Sequence, residues 1–278
     1  MGRRGLCLFC VALLLILPFV TGCDTPDAPG LVVEVLDVGQ SDCTLVTVGD
    51  MVLMIDTGTV TERHTLQNAL RKRGIKHIDY LLLTHPHEDH IGNARMVVET
   101  YTVGSLLVSP VECEELDWRL VAEAAERTHV PIRPVASGMT FPLGDATVEI
   151  LLAVDHAEDL NNASVVLTVT FGETRFLFTG DNETEGETLL LSNVAPERLD
   201  CDFLKAGHHG SAKSTGEALL AAAHPAHVAF SCGENNGYGF PADAVLKRLR
   251  KMGIEWHRTD TEGDLRYVSD GETIWFEK

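Results

Sequence analysis

Between Leu83 and Ile91 the chain reads Thr84-His-Pro-His-Glu-Asp-His90, which puts three imidazoles and two carboxylates within six residues. Burying such groups without partners is costly, so a run of this kind at the end of an apolar segment calls for a cation. Imidazole nitrogen and carboxylate oxygen are the donors that suit Zn²⁺ and similar divalent ions. Pro86 stiffens the run and helps His85 and His87 converge on one ion, while Asp89 and His90 can serve a neighbour. Asp181 follows a second apolar run at Thr179-Gly-Asp181, and His208 and His209 follow a third at Lys205-Ala-Gly-His-His-Gly210. Glycines on either side of the histidine pair let the backbone approach a ligand closely.

These residues need strands to deliver them. Leu31 to Val38, Cys43 to Val48 and Val52 to Ile55 read as strands, the last two joined by a turn at Gly49-Asp50. Glu62 to Arg73 has helical spacing in Leu66, Ala69 and Leu70, with Gly74 as its stop. Ile78 to Leu83 ends in the run Tyr80-Leu-Leu-Leu83, as expected of a strand covered on both faces. A weaker helix runs near Trp118 to Arg127. Thr147 to Ala153, Val165 to Phe171, Arg175 to Phe178, Phe203 to Lys205 and His227 to Phe230 are further strands. Pro241 opens a helix with Ala244, Leu246 and Leu249 apolar and Gly253 as its end, and a hairpin of Arg266 to Val268 and Thr273 to Phe276 closes the chain. Two β-rich halves with interleaved helices predict face-to-face sheets inside and helices outside: an α/β (α+β) fold, with residues 31–278 as a single domain.

The 278 residues are 45% hydrophobic, ample for a core, and carry a formal net charge of −19. That acidity opposes passive attraction to nucleic acid or an anionic membrane, so a polyanionic substrate needs local cations, which bound metals supply. Arg3 and Arg4 followed by the apolar run Leu6 to Val20 read as a signal peptide over residues 1–22. The run falls short of the roughly 20 apolar residues of a membrane span. Val20-Thr-Gly-Cys23 resembles a bacterial lipobox, which makes Cys23 the lipidated first residue of an exported, membrane-anchored protein, or of a secreted one without that lipid. Residues 23–30 then form a tether. Cys43, Cys113, Cys201 and Cys232 show no Cys-x-x-Cys spacing; buried free thiols are expected for most of them, with one unassigned disulfide open.

The spacing His85-x-His87-x-Asp89-His90 matches the HxHxDH signature of the metallo-β-lactamase superfamily, and the chain resembles its ComEC-type competence branch in particular. Asp37-Val-Gly-Gln40 resembles that branch's DVGQGD segment, with Ser41 at a glycine position. Ile55-Asp-Thr-Gly58 resembles its IDTG turn, Thr179-Gly-Asp181 its TGD, Lys205 to Ser211 its KxGHHGS, and Asn161-Asn-Ala-Ser164 its paired asparagines. The resemblance implies an αββα metallo-β-lactamase sandwich holding two divalent ions, Zn²⁺ or Mn²⁺. It assigns His85 and His87 to one ion, Asp89 and His90 to the other, and Asp181 to the bridge. It gives His208 to a metal and His209 to catalysis or substrate contact, with Asp89 also catalytic. Asp37, Gln40 and Asp56 are read as groups that orient the ligands or as turn and packing residues, Asn161 and Asn162 as substrate-orienting or turn-capping, and Lys205 as an anion attractor or a surface lysine. His156 is a candidate for the histidine ligand that many relatives carry before the bridging aspartate. Gly237-Tyr-Gly-Phe-Pro241 places Phe240 where relatives carry an imidazole. The remaining histidines, His64, His77, His129, His224, His227 and His257, read as surface or locally satisfied groups.

The expected function is phosphodiester hydrolysis, acting on nucleic acid, a nucleotide or a wall-polymer head group. The alternatives are hydrolysis of carbon esters, amides or lactams, and metal-dependent capture of DNA or wall polymer with weak catalysis. No channel-forming helices follow the domain, so it is not expected to be a DNA-transport pore itself.

Overall fold

A computed structural model describes residues 1–2 and 30–278. Residues 3–29, which hold Cys23 and nearly all of the expected signal peptide and tether, lie outside the described residues; among the described residues no helix is long and apolar enough to cross a membrane.

The first half builds β1 (Leu31–Val35), β2 (Thr44–Val48), β3 (Met51–Ile55), α1 (Arg63–Lys72), β4 (His77–Leu83), α2 (Glu88–Ile91), α3 (Ala94–Thr100), β5 (Thr102–Val108), α4 (Leu116–Thr128) and β6 (Ile132–Pro134). The second half builds β7 (Thr140–Leu143), β8 (Ala146–Leu152), β9 (Val166–Phe171), β10 (Thr174–Phe178), α5 (Thr184–Asn193), α6 (Pro196–Leu199), β11 (Phe203–Lys205), α7 (Glu217–Ala223), β12 (His227–Phe230), α8 (Asp243–Met252), β13 (Glu255–Arg258), α9 (Thr259–Glu262), β14 (Leu265–Ser269) and β15 (Ile274–Glu277). One sheet runs β15-β14-β1-β2-β3-β4-β5-β6, the other β13-β12-β11-β10-β9-β8-β7.

Strand alternation shows how the layers assemble. Leu53, Ile55 and Leu82 of the first sheet share a core with Leu167, Phe176, Phe178 and Phe203 of the second. Their sequence neighbours face outward: Met54, Leu81 and Leu83 pack with Leu66 and Leu70 of α1, and Leu177 and Leu204 with Leu190 of α5 and Leu220 of α7. The result is the helix–sheet–sheet–helix arrangement expected.

The differences are local. β1 stops at Val35 instead of Val38: Leu36 N–H still donates to Cys43 O at 2.9 Å, and the chain then turns at Gly39, φ +72°. The helix expected from Pro241 begins at Asp243, since Ala242 N–H is held 2.8 Å from Gly210 O. It buries Val245 and Leu249 and leaves Ala244 exposed. All four described cysteines are free thiols, Cys43, Cys201 and Cys232 buried and Cys113 partly so.

One end of the sandwich is closed by glycines. A Cβ on Gly172, in the β9–β10 turn, would lie 2.3 Å from Gly271 O in the β14–β15 turn, and one on Gly30 would lie 2.3 Å from the Phe171 ring.

Candidate metal centre

The first cluster begins where β4 ends. His87 caps α2 in extended conformation, and Ile91 N–H donates back to its carbonyl at 3.0 Å. Glu88 is turned away from the site: it accepts from Thr59 Oγ1 and, at 2.6 Å, from Val60 N–H, pinning the loop after β3. His85 Nε2 and His87 Nδ1 face each other at 3.0 Å.

The tautomer of His85 follows from its neighbours. Thr84 Oγ1 donates to Asp56 Oδ2 at 2.7 Å, so toward His85 Nδ1, 3.1 Å away, it accepts. The proton therefore sits on Nδ1 and the Nε2 lone pair faces the site. Burial holds the His85 imidazole well below its usual range, reinforced by nearby His90, which keeps the ring neutral.

Asp56 also accepts a hydrogen bond from His90. It occupies a left-handed backbone position, φ +59°, accepts from Thr84 N–H at 2.8 Å and receives His90 Nδ1 at 2.7 Å. This leaves His90 Nε2 pointing inward, 3.2 Å from Asp181 Oδ2. A carboxylate behind an imidazole is the arrangement that fixes metal-ligating histidines.

Asp181 arrives from the other sheet, after β10. Its N–H donates to Ser164 Oγ at 2.9 Å, and the same hydroxyl lies 3.2 Å from His85 Nδ1, so one serine ties the two sheets' ligands together. The loop after β11 brings the histidine pair with three consecutive positive φ angles: 45° at His208, 53° at His209 and 90° at Gly210. Such geometry is unfavourable for residues with a Cβ and is found where packing over-determines it.

That twist separates the two imidazoles. His209 is buried, its Nδ1 donating to Ser231 O at 3.0 Å, and its Nε2 stands 3.2 Å from Asp89 Oδ2 and 3.5 Å from Asp181 Oδ2. His208 lies further out, with Nδ1 on Glu183 Oε1 at 3.0 Å and Nε2 at 3.7 Å from Asp181 Oδ2. Asp89, His90, Asp181 and His209 offer ligand atoms all within 4.8 Å of one another, and His208, the histidine that the resemblance gives to a metal, stands outside that set with Nε2 3.7 Å from Asp181 Oδ2.

The charges inside this cluster fit a cation. Burial alone would drive Asp181 toward its neutral form, yet His90 and His209 hold its carboxyl well below the usual carboxylate range. Burial opposes charge on the imidazoles too, but Asp181 and Asp56 hold His90 well above its ordinary value, and Asp181 and Asp42 push His209 up to about 10. Asp89, against its own burial, is held at about 2 by the His209 hydrogen bond. Protons on two imidazoles thus neutralise a set of carboxylates, and divalent ions would replace those protons. Two buried atoms aimed inward, His90 Nε2 and Asp181 Oδ1, have no hydrogen-bond partner, as ligands awaiting a metal would. The donor set therefore fits divalent ions, which Asp89, His90, Asp181 and His209 would hold, with His85 and His87 beside them.

Several expected residues act elsewhere. Lys205 is not the surface lysine that was one expectation: it is 3% exposed, with Nζ 2.7 Å from Asp42 Oδ2. Asp42, which sequence reasoning passed over, also lies 3.2 Å from His209 Nδ1; its signal was the final carboxylate of the segment opened by Asp37. Gln40 accepts from Gly233 N–H at 3.0 Å, and Asp37 from Gly39 N–H at 3.4 Å, the loop-shaping contacts of the turn alternative. Asn162 Oδ1 accepts from Glu183 and Gly186 N–H groups, capping the approach to α5. Asn161 keeps a buried Oδ1 without a partner. His156 is exposed and outside the cluster. His77, His224 and His257 pair with Asp79, Asp200 and Glu262.

Residues 36–233 match the Metallo-beta-lactamase superfamily (Lactamase_B). The ComE operon protein 3 of Bacillus subtilis (strain 168) is 33% identical over 255 residues, spanning 84% of this chain and 32% of that protein. Competence protein ComA of Neisseria gonorrhoeae is 31% identical over 243 residues, again 84% of this chain and 32% of the relative. The chain thus spans about a third of these relatives' length. Among solved structures, the metallo-beta-lactamase fold protein YhfI from Bacillus subtilis aligns with a TM-score of 0.57 at 13% identity, covering 89% of this chain and 100% of that one. CmlA, a diiron beta-hydroxylase from Streptomyces venezuelae, aligns at 0.55 and 15% identity over 84% of this chain and 53% of its own. Both similarities are of fold.

Proposed function

The chain belongs to the metallo-beta-lactamase superfamily of metal-dependent hydrolases, and from that membership we infer that it cleaves phosphodiesters at a site for two divalent ions. The observation that carries this is the position of Asp181: one carboxylate faces His90 and His209 through Oδ2 and keeps Oδ1 free of partners. A carboxylate bridge suits a hard, symmetric ion pair, the kind that serves in-line displacement at phosphorus.

When bound, two such ions polarise the phosphoryl oxygens and lower the pKa of a water to roughly 7. The chain's own residues supply the rest. Asp56 and Ser231 hold the Nδ1 protons of His90 and His209, fixing both rings with Nε2 inward. Asp89, with a side chain 36% exposed, is the ligand-set carboxylate open to the cleft, and it stays ionised beside His209. It is placed to accept a proton from an attacking water. His208, on the rim and oriented by Glu183, is placed to meet a substrate oxygen or the leaving group.

The sequence pattern Val20-Thr-Gly-Cys23 supports an exported protein held at a membrane by a lipid on Cys23; palmitate labelling that persists in Cys23→Ser would refute that. The catalytic reading is tested by metal analysis of the purified protein together with hydrolysis of bis(4-nitrophenyl) phosphate. Two ions per chain with turnover are expected, and turnover should vanish when His87→Ala is combined with Asp181→Asn. Full metal occupancy without phosphodiester turnover would sink the reading.

A further inference from the structure

Beside the metal centre the segment between β12 and α8 holds two aromatic rings, Tyr238 exposed and Phe240 half-buried. Tyr238 is 74% exposed and lies nearly parallel to Phe240, with centroids 5.5 Å apart and planes at 19°. Phe240 in turn meets the His208 ring edge to face, at 5.6 Å and 69°, and His208 Nε2 is 3.7 Å from Asp181. The rings therefore form a chain of contacts from Asp181 through His208 and Phe240 to the exposed Tyr238.

The loop is held in this shape. Asn236 accepts Phe240 N–H at 2.9 Å and donates to Phe240 O at 2.7 Å and to Gly233 O at 2.9 Å. Pro241 rests directly on the turn that carries His209: a Cβ on Gly210 would come within 2.5 Å of the Pro241 Cβ, and Ala242 N–H donates to Gly210 O at 2.8 Å. An exposed tyrosine held ready by such bracing loses little freedom when something stacks on it.

We propose that Tyr238 and Phe240 form a stacking platform for a nucleobase joined to the phosphodiester cleaved at the metal centre, an inference that rests on the phosphodiesterase reading. Near-parallel rings offer a flat face that another planar ring extends, and base–aromatic stacking is tolerant of base identity. A quaternary ammonium head group would call for rings set at angles around it, which this pair does not provide. The charge points the same way. At a formal net charge of −19 the surface gives little pull on a long polyanion, so a short nucleotide substrate must gain its affinity from stacking and from the ions.

The test uses the full chain loaded with Zn²⁺ or Mn²⁺ and a dinucleotide containing 2-aminopurine and a phosphorothioate linkage, whose fluorescence falls on stacking. Wild type should quench the probe, Tyr238→Trp should preserve quenching, and Tyr238→Ala with Phe240→Leu should weaken binding about tenfold. Melting temperature and metal content are measured on the same samples. Tyr238→Ala alone, at an exposed position, carries the test if the double variant does not fold. Binding by the variants within twofold of wild type overturns the platform, as does equal displacement of the probe by glycerophosphocholine. The probe reports stacking without turnover. Quenching by a wild type that hydrolyses no phosphodiester upholds the stacking and overturns the phosphodiesterase reading instead.

Discussion

Replacing Lys205 by methionine removes one charge from the buried pair with Asp42 and leaves the chain's volume nearly unchanged. Both side chains are almost fully enclosed, at 3% and 7% exposure, and their charged atoms are 2.7 Å apart. Taking one partner from such a pair leaves the other charged and desolvated, which costs about 3–5 kcal/mol. The Nδ1–H of His209 still faces Asp42 at 3.2 Å whether or not Nε2 holds a metal, so the lower end applies, about 3 kcal/mol. In a domain of this size that is a fall in melting temperature of roughly 10 °C. Thermal melts and urea titrations of wild type, Lys205→Met, Asp42→Asn and the double variant form a cycle. The double variant should regain at least half of the loss, because it leaves no unpaired charge. A single variant melting within about 2 °C of wild type, or two losses that simply add, would refute the reasoning. A raised KM with an unchanged melt would mean that the lysine meets substrate after all.

Asp56→Asn keeps a residue that tolerates φ +59° but removes the charge behind His90; chelator competition should show metal affinity lower by about 10–100-fold. An unchanged affinity would mean that the carboxylate does not orient the ligand. Glu187, in α5, accepts from Gly216 N–H at 2.9 Å and from Thr215 N–H, and burial pushes its carboxyl from an ordinary 4.5 up to about 7. Because the folded pKa is raised, the folded state holds a proton the unfolded chain has lost, so stability falls as pH rises from 4.5 to 7. Urea midpoints should therefore favour Glu187→Gln over wild type by up to roughly 3 kcal/mol more at pH 8 than at pH 4.5; a pH-independent difference would contradict this. Gly210→Ala forces a Cβ to within 2.5 Å of Pro241 Cβ and 2.8 Å of Phe230 Cδ1 at φ +90°. It should cost roughly 2–4 kcal/mol by urea denaturation and lower metal content, and wild-type stability would show that the turn can shift.

The layers and the first ligand cluster were legible because they are written locally. The apolar run ending at Leu83 marks a strand, Leu66 and Leu70 mark a helical stripe, and the histidines follow within a few residues. Elements without periodicity were missed: β13 (Glu255–Arg258) alternates nothing apolar, and α5 buries only Gly186, Glu187 and Leu190. Contacts that span the chain left still less trace. Asp42 and Lys205 are 163 residues apart, and only the packed sheets bring them together. The order of His208 and His209 turned on backbone: two adjacent imidazoles look alike in a sequence until their left-handed φ angles send one inward and the other to the rim.

The glycine contacts that close one end of the sandwich set a compass for the molecule. β1 is antiparallel to β2, β2 to β3, and β3 parallel to β4, so β1 points the same way as β4. Leu31 thus starts at the pole where Gly30 touches Phe171 and Gly172 touches Gly271, whereas Leu83 and Phe178 finish at the other, where the ligands gather. A support gripping the chain ahead of residue 30 would hold the protein by its south while the metals look north.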